Sequence, residues 1–256
     1  MIRLAICIPV YGDTKAKFTL SLANALVHFL ECNINDADGN RIDREVEIFM
    51  VSCSMLTEGR HRLTAEALAW NATHMLWMDA DHVFPANAIP RLLSHNVDIV
   101  GANYARRHIP TSPTAVAKGQ AEGDDSRSKL VYTTEDDLGL QEVDHLGFGL
   151  CLVNMTVFDR LQMWADEHDD GNFLPLFQFT PTPDKIGMIG EDVFFFRKCR
   201  EAGAKVYVDH ALSWEVGHIF EQILTNAHCV SHKDKWEEWR ASKYASKVRE
   251  AAEAAA

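Results

Sequence analysis

The sequence predicts an α/β fold: one large domain on a mostly parallel central sheet flanked by helices, with an appended C-terminal helical tail. Three observations predict it. Apolar runs of strand length, Ile2 to Ile8, Val46 to Val51 and Met75 to Met78, alternate with segments carrying apolar residues at helical spacing, Thr14 to Glu31 and Glu58 to Trp70, in the order βαβαβ. Met75 to Met78 is a continuous apolar run, as expected of a strand buried in a parallel sheet. With 256 residues, 47% of them hydrophobic and 24% charged, the chain is long enough for a sizeable core.

The first strand ends in Pro9-Val10-Tyr11-Gly12-Asp13, a turn-rich loop. Ligands of open α/β sheets gather beyond the carboxyl ends of strands, so Tyr11 is placed to stack on a base and Asp13 to hydrogen-bond one; Asp13 equally suits the cap of the next helix. Neither GxGxxG nor GxxxxGK[ST] follows this strand, which argues against a dinucleotide dehydrogenase and a P-loop enzyme. The polar stretch Asn33 to Arg44 reads as surface loop. At the start of the second helix, Arg60, His61 and Arg62 place two guanidiniums where an anion is favoured, with solvated surface charge as the alternative.

The third strand delivers Asp79-Ala80-Asp81. In an extended chain alternate side chains share a face, so the two carboxylates present together a hard oxygen pair suited to Mg²⁺ or Mn²⁺, with positions left for phosphate oxygens. The alternative is that an aspartate caps the helix beginning near Pro85 to Ala88. That helix runs to His95, and a strand follows over Val97 to Gly101. Beyond it, Asn103 to His108 mixes Tyr104 with Arg106, Arg107 and His108, a possible substrate wall.

Gln120 to Arg127 reads as a loop tip, and Leu130 to His145 as short strands joined by an acidic turn. Gly147-Phe148-Gly149 enters the apolar run Cys151 to Val153; glycines there permit close backbone approach, to a ligand or to packed neighbours. A helix over Met155 to Ala165 leads to an irregular stretch, Asp166 to Pro183, read as a lid or acceptor loop. Glu191-Asp192 opens the helix Val193 to Arg200, either as favourable charge at its N-terminus or as a carboxylate facing a cleft. After a strand at Lys205 to Val208 comes Gly217-His218, where the histidine is structural or a metal ligand.

Thr225 to His232 reads as a short polar segment with solvated His228 and His232, and Asp234 to Ala256 as a helix whose Trp236, Trp239 and Tyr244 form an aromatic side. The closing AAEAAA is expected to fray. A net charge of −12 weighs against broad binding of nucleic acid or anionic membrane. No stretch approaches a membrane span and no signal-peptide layout opens the chain, so a cytoplasmic location is expected. The six cysteines, at 7, 32, 53, 151, 199 and 229, lack metal-finger spacing and read as structural thiols.

Taken together, ATHMLWMDADHVFP, HLGFGLCLVN, GEDVFFFRKCREAGAKVYVD and the late Gly217-His218 resemble a glycosyltransferase of the GT-A fold, family 2-like, over roughly residues 2 to 220. The resemblance implies a single Rossmann-like catalytic domain over residues 1–220 and a helical extension over 221–256. It implies a metal site at Asp79, Asp81 and His218 for Mn²⁺ or Mg²⁺, and donor contacts from Pro9, Tyr11, Asp13, Arg60, Arg62, Asp79 and Ala80. It implies acceptor contacts from Tyr104, Arg106, Gly147, Phe148 and Gly149, and a catalytic pair, Glu191 and Asp192, with Asp192 as base in an inverting reaction. Arg60 looks like the family arginine after which an asparagine often stands; here His61 follows.

The expected substrate is a nucleotide-diphosphate sugar, and the acceptor a glycan, protein, lipid or modified nucleic-acid base. Two other readings remain. A nucleotidyltransferase making nucleotide sugars would need a glycine-rich basic loop after the first strand, which Pro9 to Asp13 does not supply; a noncatalytic carbohydrate- or nucleotide-binding protein would keep the fold without turnover.

Overall fold

The computed structural model describes residues 1–35, 38–119, 129–168, 175–182, 187–220 and 223–254. In chain order the elements are β1 (Ile2–Val10), α1 (Ala16–Glu31), β2 (Arg44–Ser52), α2 (Leu56–Ala69), β3 (His74–Met78), β4 (His82–Val83), α3 (Ala88–Ser94) and β5 (Ile99–Gly101). They continue as β6 (Val116–Ala117), β7 (Leu140–His145), β8 (Leu150–Asn154), α4 (Thr156–Glu167), β9 (Thr180–Pro181), β10 (Met188–Ile189), α5 (Glu191–Glu201) and β11 (Val206–Asp209). The chain closes with α6 (His210–Glu215), β12 (Gly217–Ile219), β13 (Ile223–Leu224) and α7 (Asn226–Ala254).

The central sheet has eight strands in the order β2-β1-β3-β8-β5-β11-β7-β6. β1 runs parallel to β2 and β3, and β5 parallel to β11, while β8 and β7 run against their neighbours, so six of the eight strands point one way. Period-two alternation sends β1 side chains to both faces. Leu4, Ile6 and Ile8, with Leu76 and Met78 of β3, pack against Phe18, Leu22 and Phe29 of α1 and Ile89 and Leu92 of α3. Ala5, Cys7, Met75 and Trp77 face Leu63 and Ala67 of α2, Phe158 and Leu161 of α4, and Phe195 and Phe196 of α5. Burial on both faces is why these strands are uninterrupted apolar runs.

The reversed strand β8 matters most for the site. Met78 pairs with Leu150 at one end of the β3–β8 ladder and His74 with Asn154 at the other. The start of β8, preceded by Gly147 to Gly149, therefore lies at the carboxyl end of β3, beside Asp79. A small sheet, β13-β12-β4, sits over the same end and pairs His218 with His82.

At the carboxyl end of β11, Asp209 is fully buried against α6. It accepts Arg91 Nε at 2.7 Å and Nη2 at 2.9 Å, His95 Nε2 at 2.8 Å and the Leu212 N–H at 2.9 Å, and so joins α3 to α6. Burial opposes ionisation of Asp209, but the Arg91, Leu212 and His95 bonds hold its pKa below the usual carboxylate value.

Several sequence expectations change. The C-terminal helix begins at Asn226, so Thr225 to His232 is mostly its first turns rather than a polar connection. Asn226 is buried, donating Nδ2 to the carbonyls of Asn103 at 2.7 Å and Ser213 at 2.6 Å, and Cys229 packs with Ala105 and Leu224. His228 Nδ1 takes the Thr225 N–H at 3.1 Å, and His232 Nδ1 takes the Thr111 N–H at 3.4 Å, which binds both rings instead of leaving them solvated. Trp236 is buried with Val116 and Leu130, while Trp239 is 40% exposed; the Tyr244 side chain lies outside the description.

The loop tip read at Gln120 to Arg127 lies outside the described residues, as do residues 169–174 and 183–186 of the stretch read as a lid. Its described part is anchored: Phe177 is 2% exposed and stacks on Phe195 at 5.1 Å. His61 Nδ1 donates to the Thr57 carbonyl at 2.8 Å, leaving Nε2 to accept the N–H groups of Leu176 at 3.1 Å and Phe177 at 3.3 Å. His61 is thus a tie between α2 and that segment. The six cysteines are free thiols, four of them buried. Among the described residues no helix is long and apolar enough to cross a membrane.

Candidate active site

The apolar run of β3 places Asp79 at the lip of the sheet and then turns. His82 N–H donates to the Asp79 carbonyl at 3.3 Å, and Asp79 N–H to the Gly149 carbonyl at 3.2 Å. Because the chain turns rather than extends, the two aspartates take different partners: Asp79 faces Arg60, and Asp81 faces two histidines and Arg107. Neither caps the following helix, since Asn87 occupies that cap position. Asp13 is not a cap either, because Lys15 stands before α1.

Arg60, on α2, is 2% exposed and forms the floor of the site. Its Nη2 donates to Asp79 Oδ1 at 3.1 Å and its Nε to Glu191 Oε1 at 3.3 Å. The guanidinium lies over Phe148 at 4.5 Å and Trp77 at 5.2 Å. Burial alone would lower its pKa; the charges of Asp79, Glu191 and Asp192 outweigh that and raise it, so the group stays a cation. One buried cation thereby links the Asp-x-Asp segment to the Glu-Asp pair of α5. Its Nη1 has no hydrogen-bond partner.

Gly190 precedes α5, with Glu191 and Asp192 in its first turn. Glu191 is 7% exposed and turned to Arg60, while Asp192 is half-buried, its Oδ1 accepting the Val193 N–H at 2.8 Å. Burial first and the Glu191 charge second push the Asp192 pKa up to about 6, against the Val193 bond and the charges of Arg60 and Arg106. Asp192 is consequently a stronger base than an ordinary carboxylate and still ionised in large part at pH 7.

Asp81 Oδ1 lies 3.1 Å from His82 Nδ1 and 3.4 Å from His218 Nε2, and Oδ2 lies 2.7 Å from Arg107 Nη1. Burial would raise the Asp81 pKa, but His218 and His82 hold it well below the usual carboxylate range. His218 is oriented from behind, its Nδ1 donating to the Ala105 carbonyl at 2.9 Å. In a neutral ring that bond leaves the Nε2 lone pair facing a carboxylate oxygen, two acceptors nose to nose, an arrangement that suits a cation held by both. One ligand atom each from Asp81, His82 and His218 lies within 4.8 Å of the other two. The donor set fits a divalent metal.

The other predicted residues fall around this centre at different depths. Tyr104 is 6% exposed, its ring set edge-on to His82 at 4.3 Å, and its hydroxyl accepts the Gly149 N–H at 3.1 Å. Burial and the Asp79 and Asp192 charges push that hydroxyl well above its usual pKa, so it stays protonated. Cβ atoms at Gly147 and Gly149 would overlap the Tyr104 ring, and at Gly149 the His82 ring as well, so the glycines admit packed neighbours. Phe148 is 1% exposed and belongs to the aromatic core rather than to a surface an acceptor reaches. Arg106 is half-buried, close enough for its charge to act on Asp192.

Pro9 is buried at the end of β1, and the exposed Tyr11 and Asp13 follow it. This loop is tied to the acidic turn by the Lys15 N–H donating to the Ala80 carbonyl at 3.3 Å. Arg62 is exposed on α2, on a different face of the helix from Arg60. Two residues that sequence reasoning missed are His82 and Arg107. His82 directly follows Asp81, but strict alternation would have sent it to the opposite face; the turn brings it back. Arg107 stood only in a generic basic stretch.

No protein-family model matches the sequence, and no curated protein matches it. Among solved structures the chain is similar to A197 from STIV, with a TM-score of 0.51 at 16% identity over 89% of this chain and 92% of that one. It is also similar to GalNAc-T7 with UDP, GalNAc and Mn²⁺, with a TM-score of 0.45 at 11% identity over 85% of this chain and 44% of that one. The first likeness is one of fold. Fold and site together define a mixed α/β protein that gathers two carboxylate pairs and two histidines at the carboxyl end of its sheet.

Proposed function

We propose that the chain is a GT-A-type glycosyltransferase that moves a sugar from a nucleotide-diphosphate sugar to an acceptor hydroxyl, with inversion. The observation that carries the proposal is Arg60, which joins Asp79 to Glu191, 131 residues beyond Arg60 in the chain, and so sets the Asp-x-Asp turn beside the Glu-Asp helix start. Asp81 and His218 would hold the divalent ion, Mn²⁺ or Mg²⁺, which when bound stabilises negative charge on a departing diphosphate.

The remaining work falls to side chains. Asp192, with a pKa raised to about 6, takes the proton from the acceptor hydroxyl as it attacks the anomeric carbon. Glu191, engaged by Arg60, fixes the start of α5 and raises the basicity of Asp192. The exposed Tyr11 and Asp13 would contact the nucleoside, and Arg107, 52% exposed beside Asp81, would meet phosphate oxygens. Arg106, half-buried near Asp192, would border the acceptor. Six free thiols support a reducing, cytoplasmic setting.

The test is nucleotide release from a panel of UDP-, GDP-, CMP- and dTDP-sugars with Mn²⁺, with Mg²⁺ and with EDTA. Release from one donor, dependent on metal and lost in Asp81→Ala, is expected. No release and no donor binding by calorimetry would overturn the transferase reading and favour a noncatalytic binder.

A further inference from the structure

His82 is the most confined ionisable group at the site. Its ring is fully buried, Nε2 has no hydrogen-bond partner, and Nδ1 meets Asp81 Oδ1 as an ion-pair contact rather than a well-formed hydrogen bond. A buried imidazole so poorly partnered destabilises a fold unless something else engages it. Its position is set by backbone as well as by rotamer: β4 pairs with β12 so that His82 lies opposite His218, and the two rings stack at 4.2 Å with 23° between planes. The ring fits because residue 149 carries no Cβ. Its Nδ1 lies 3.1 Å from the same Asp81 oxygen that His218 Nε2 approaches at 3.4 Å.

We propose that His82 is a third protein ligand beside Asp81 and His218, and that this set of two imidazoles and one carboxylate selects a first-row transition ion over Mg²⁺. The inference rests on the metal-dependent reading above and narrows it. Mg²⁺ is held through oxygen ligands and water, whereas imidazole nitrogen suits first-row transition ions, Mn²⁺ at the weak end of the series and Fe²⁺, Co²⁺ and Zn²⁺ more strongly. Three protein ligands still leave positions for donor phosphate oxygens. Asp79, occupied by Arg60, is then free to orient the turn instead of ligating.

The experiment uses the full chain stripped with chelator and titrated with Mn²⁺. Pulsed electron paramagnetic resonance counts imidazole nitrogens coupled to the ion, and calorimetry compares Mn²⁺ with Mg²⁺. Two coupled imidazoles in the wild type, one in His82→Gln and one in His218→Gln are expected, with Mn²⁺ bound at least about tenfold more tightly than Mg²⁺. Should His82→Gln fail to fold, the wild-type count and the single nitrogen retained by His218→Gln still decide. A wild type with bound Mn²⁺ and one imidazole overturns the inference and leaves the metal reading standing. Equal affinity for Mg²⁺ overturns the selectivity, and a wild type that binds no Mn²⁺ overturns the metal reading itself.

Discussion

Arg60 donates to Asp79 at 3.1 Å from a position that solvent scarcely reaches. The same guanidinium serves Glu191 at 3.3 Å, so removing it leaves two carboxylates facing each other without a cation. Arg60→Ala is expected to destabilise the fold by about 3–5 kcal/mol, the usual penalty for breaking a buried ion pair. Arg60→Lys keeps the charge but loses the fork that reaches both partners, and an intermediate loss is expected. Urea unfolding of both variants measures the order.

Asp192 links base strength to stability. Its folded pKa of about 6 lies above the ordinary carboxylate value, so the folded state holds this proton more tightly than the unfolded chain does. Stability from this group is present at acid pH and lost as pH rises through about 6. Asp192→Asn should therefore raise the melting temperature at pH 7.5, by a gain of roughly 1–2 kcal/mol after allowing for its half-buried position. The same substitution should lower transfer about 10²-fold or more, and wild-type kcat should fall on the acid side with an apparent pKa near 6. An unchanged acid limb in Asp192→Asn would assign the base elsewhere.

Asp209 makes the opposite contribution. Its pKa is lowered in the folded state, so its stabilisation is present above the unfolded carboxylate pKa and lost as pH falls through the folded one. Asp209→Ala strands Arg91 and His95 and is expected to cost about 3–5 kcal/mol at neutral pH. The difference from wild type should shrink in strong acid, which thermal melts across a pH series would show.

Gly149→Ala tests the packing around Asp81, His82 and His218. The added methyl would overlap the rings of His82 and Tyr104, and overpacking of this kind typically costs about 1–3 kcal/mol. Weaker Mn²⁺ binding is expected alongside the lower melting temperature.

Much of the sheet was legible because its strands are buried on both faces: Ile2 to Ile8 and Met75 to Met78 could be little else. The reversal of β8 was not, since Leu150 to Asn154 is apolar whichever way it runs. At the site, the acidic turn and the Glu-Asp helix start stood out as residue types at strand and helix boundaries. The fate of Arg60 did not, because a guanidinium near a helix start is usually solvated and only the tertiary fold closes Phe148 and Trp77 over it. His82 was hidden by the alternation rule, which fails where a strand ends in a turn. The start of α7 was missed because Asn226 and Cys229 are held by tertiary partners rather than by helical propensity.

The placement of β8 between β3 and β5 also bears on how the molecule assembles. In chain order β3 and β5 precede β8 by some fifty residues or more, yet neither touches the other in the finished sheet; β8 is the seam. The N-terminal strands β2, β1 and β3 can pair early, but they cannot join β5 and β11 until a segment made much later threads between them, and such non-local pairing is slow. Asp79 lies on one side of that seam and Glu191 and His218 come from segments beyond it. The candidate site is therefore incomplete in every partly made sheet.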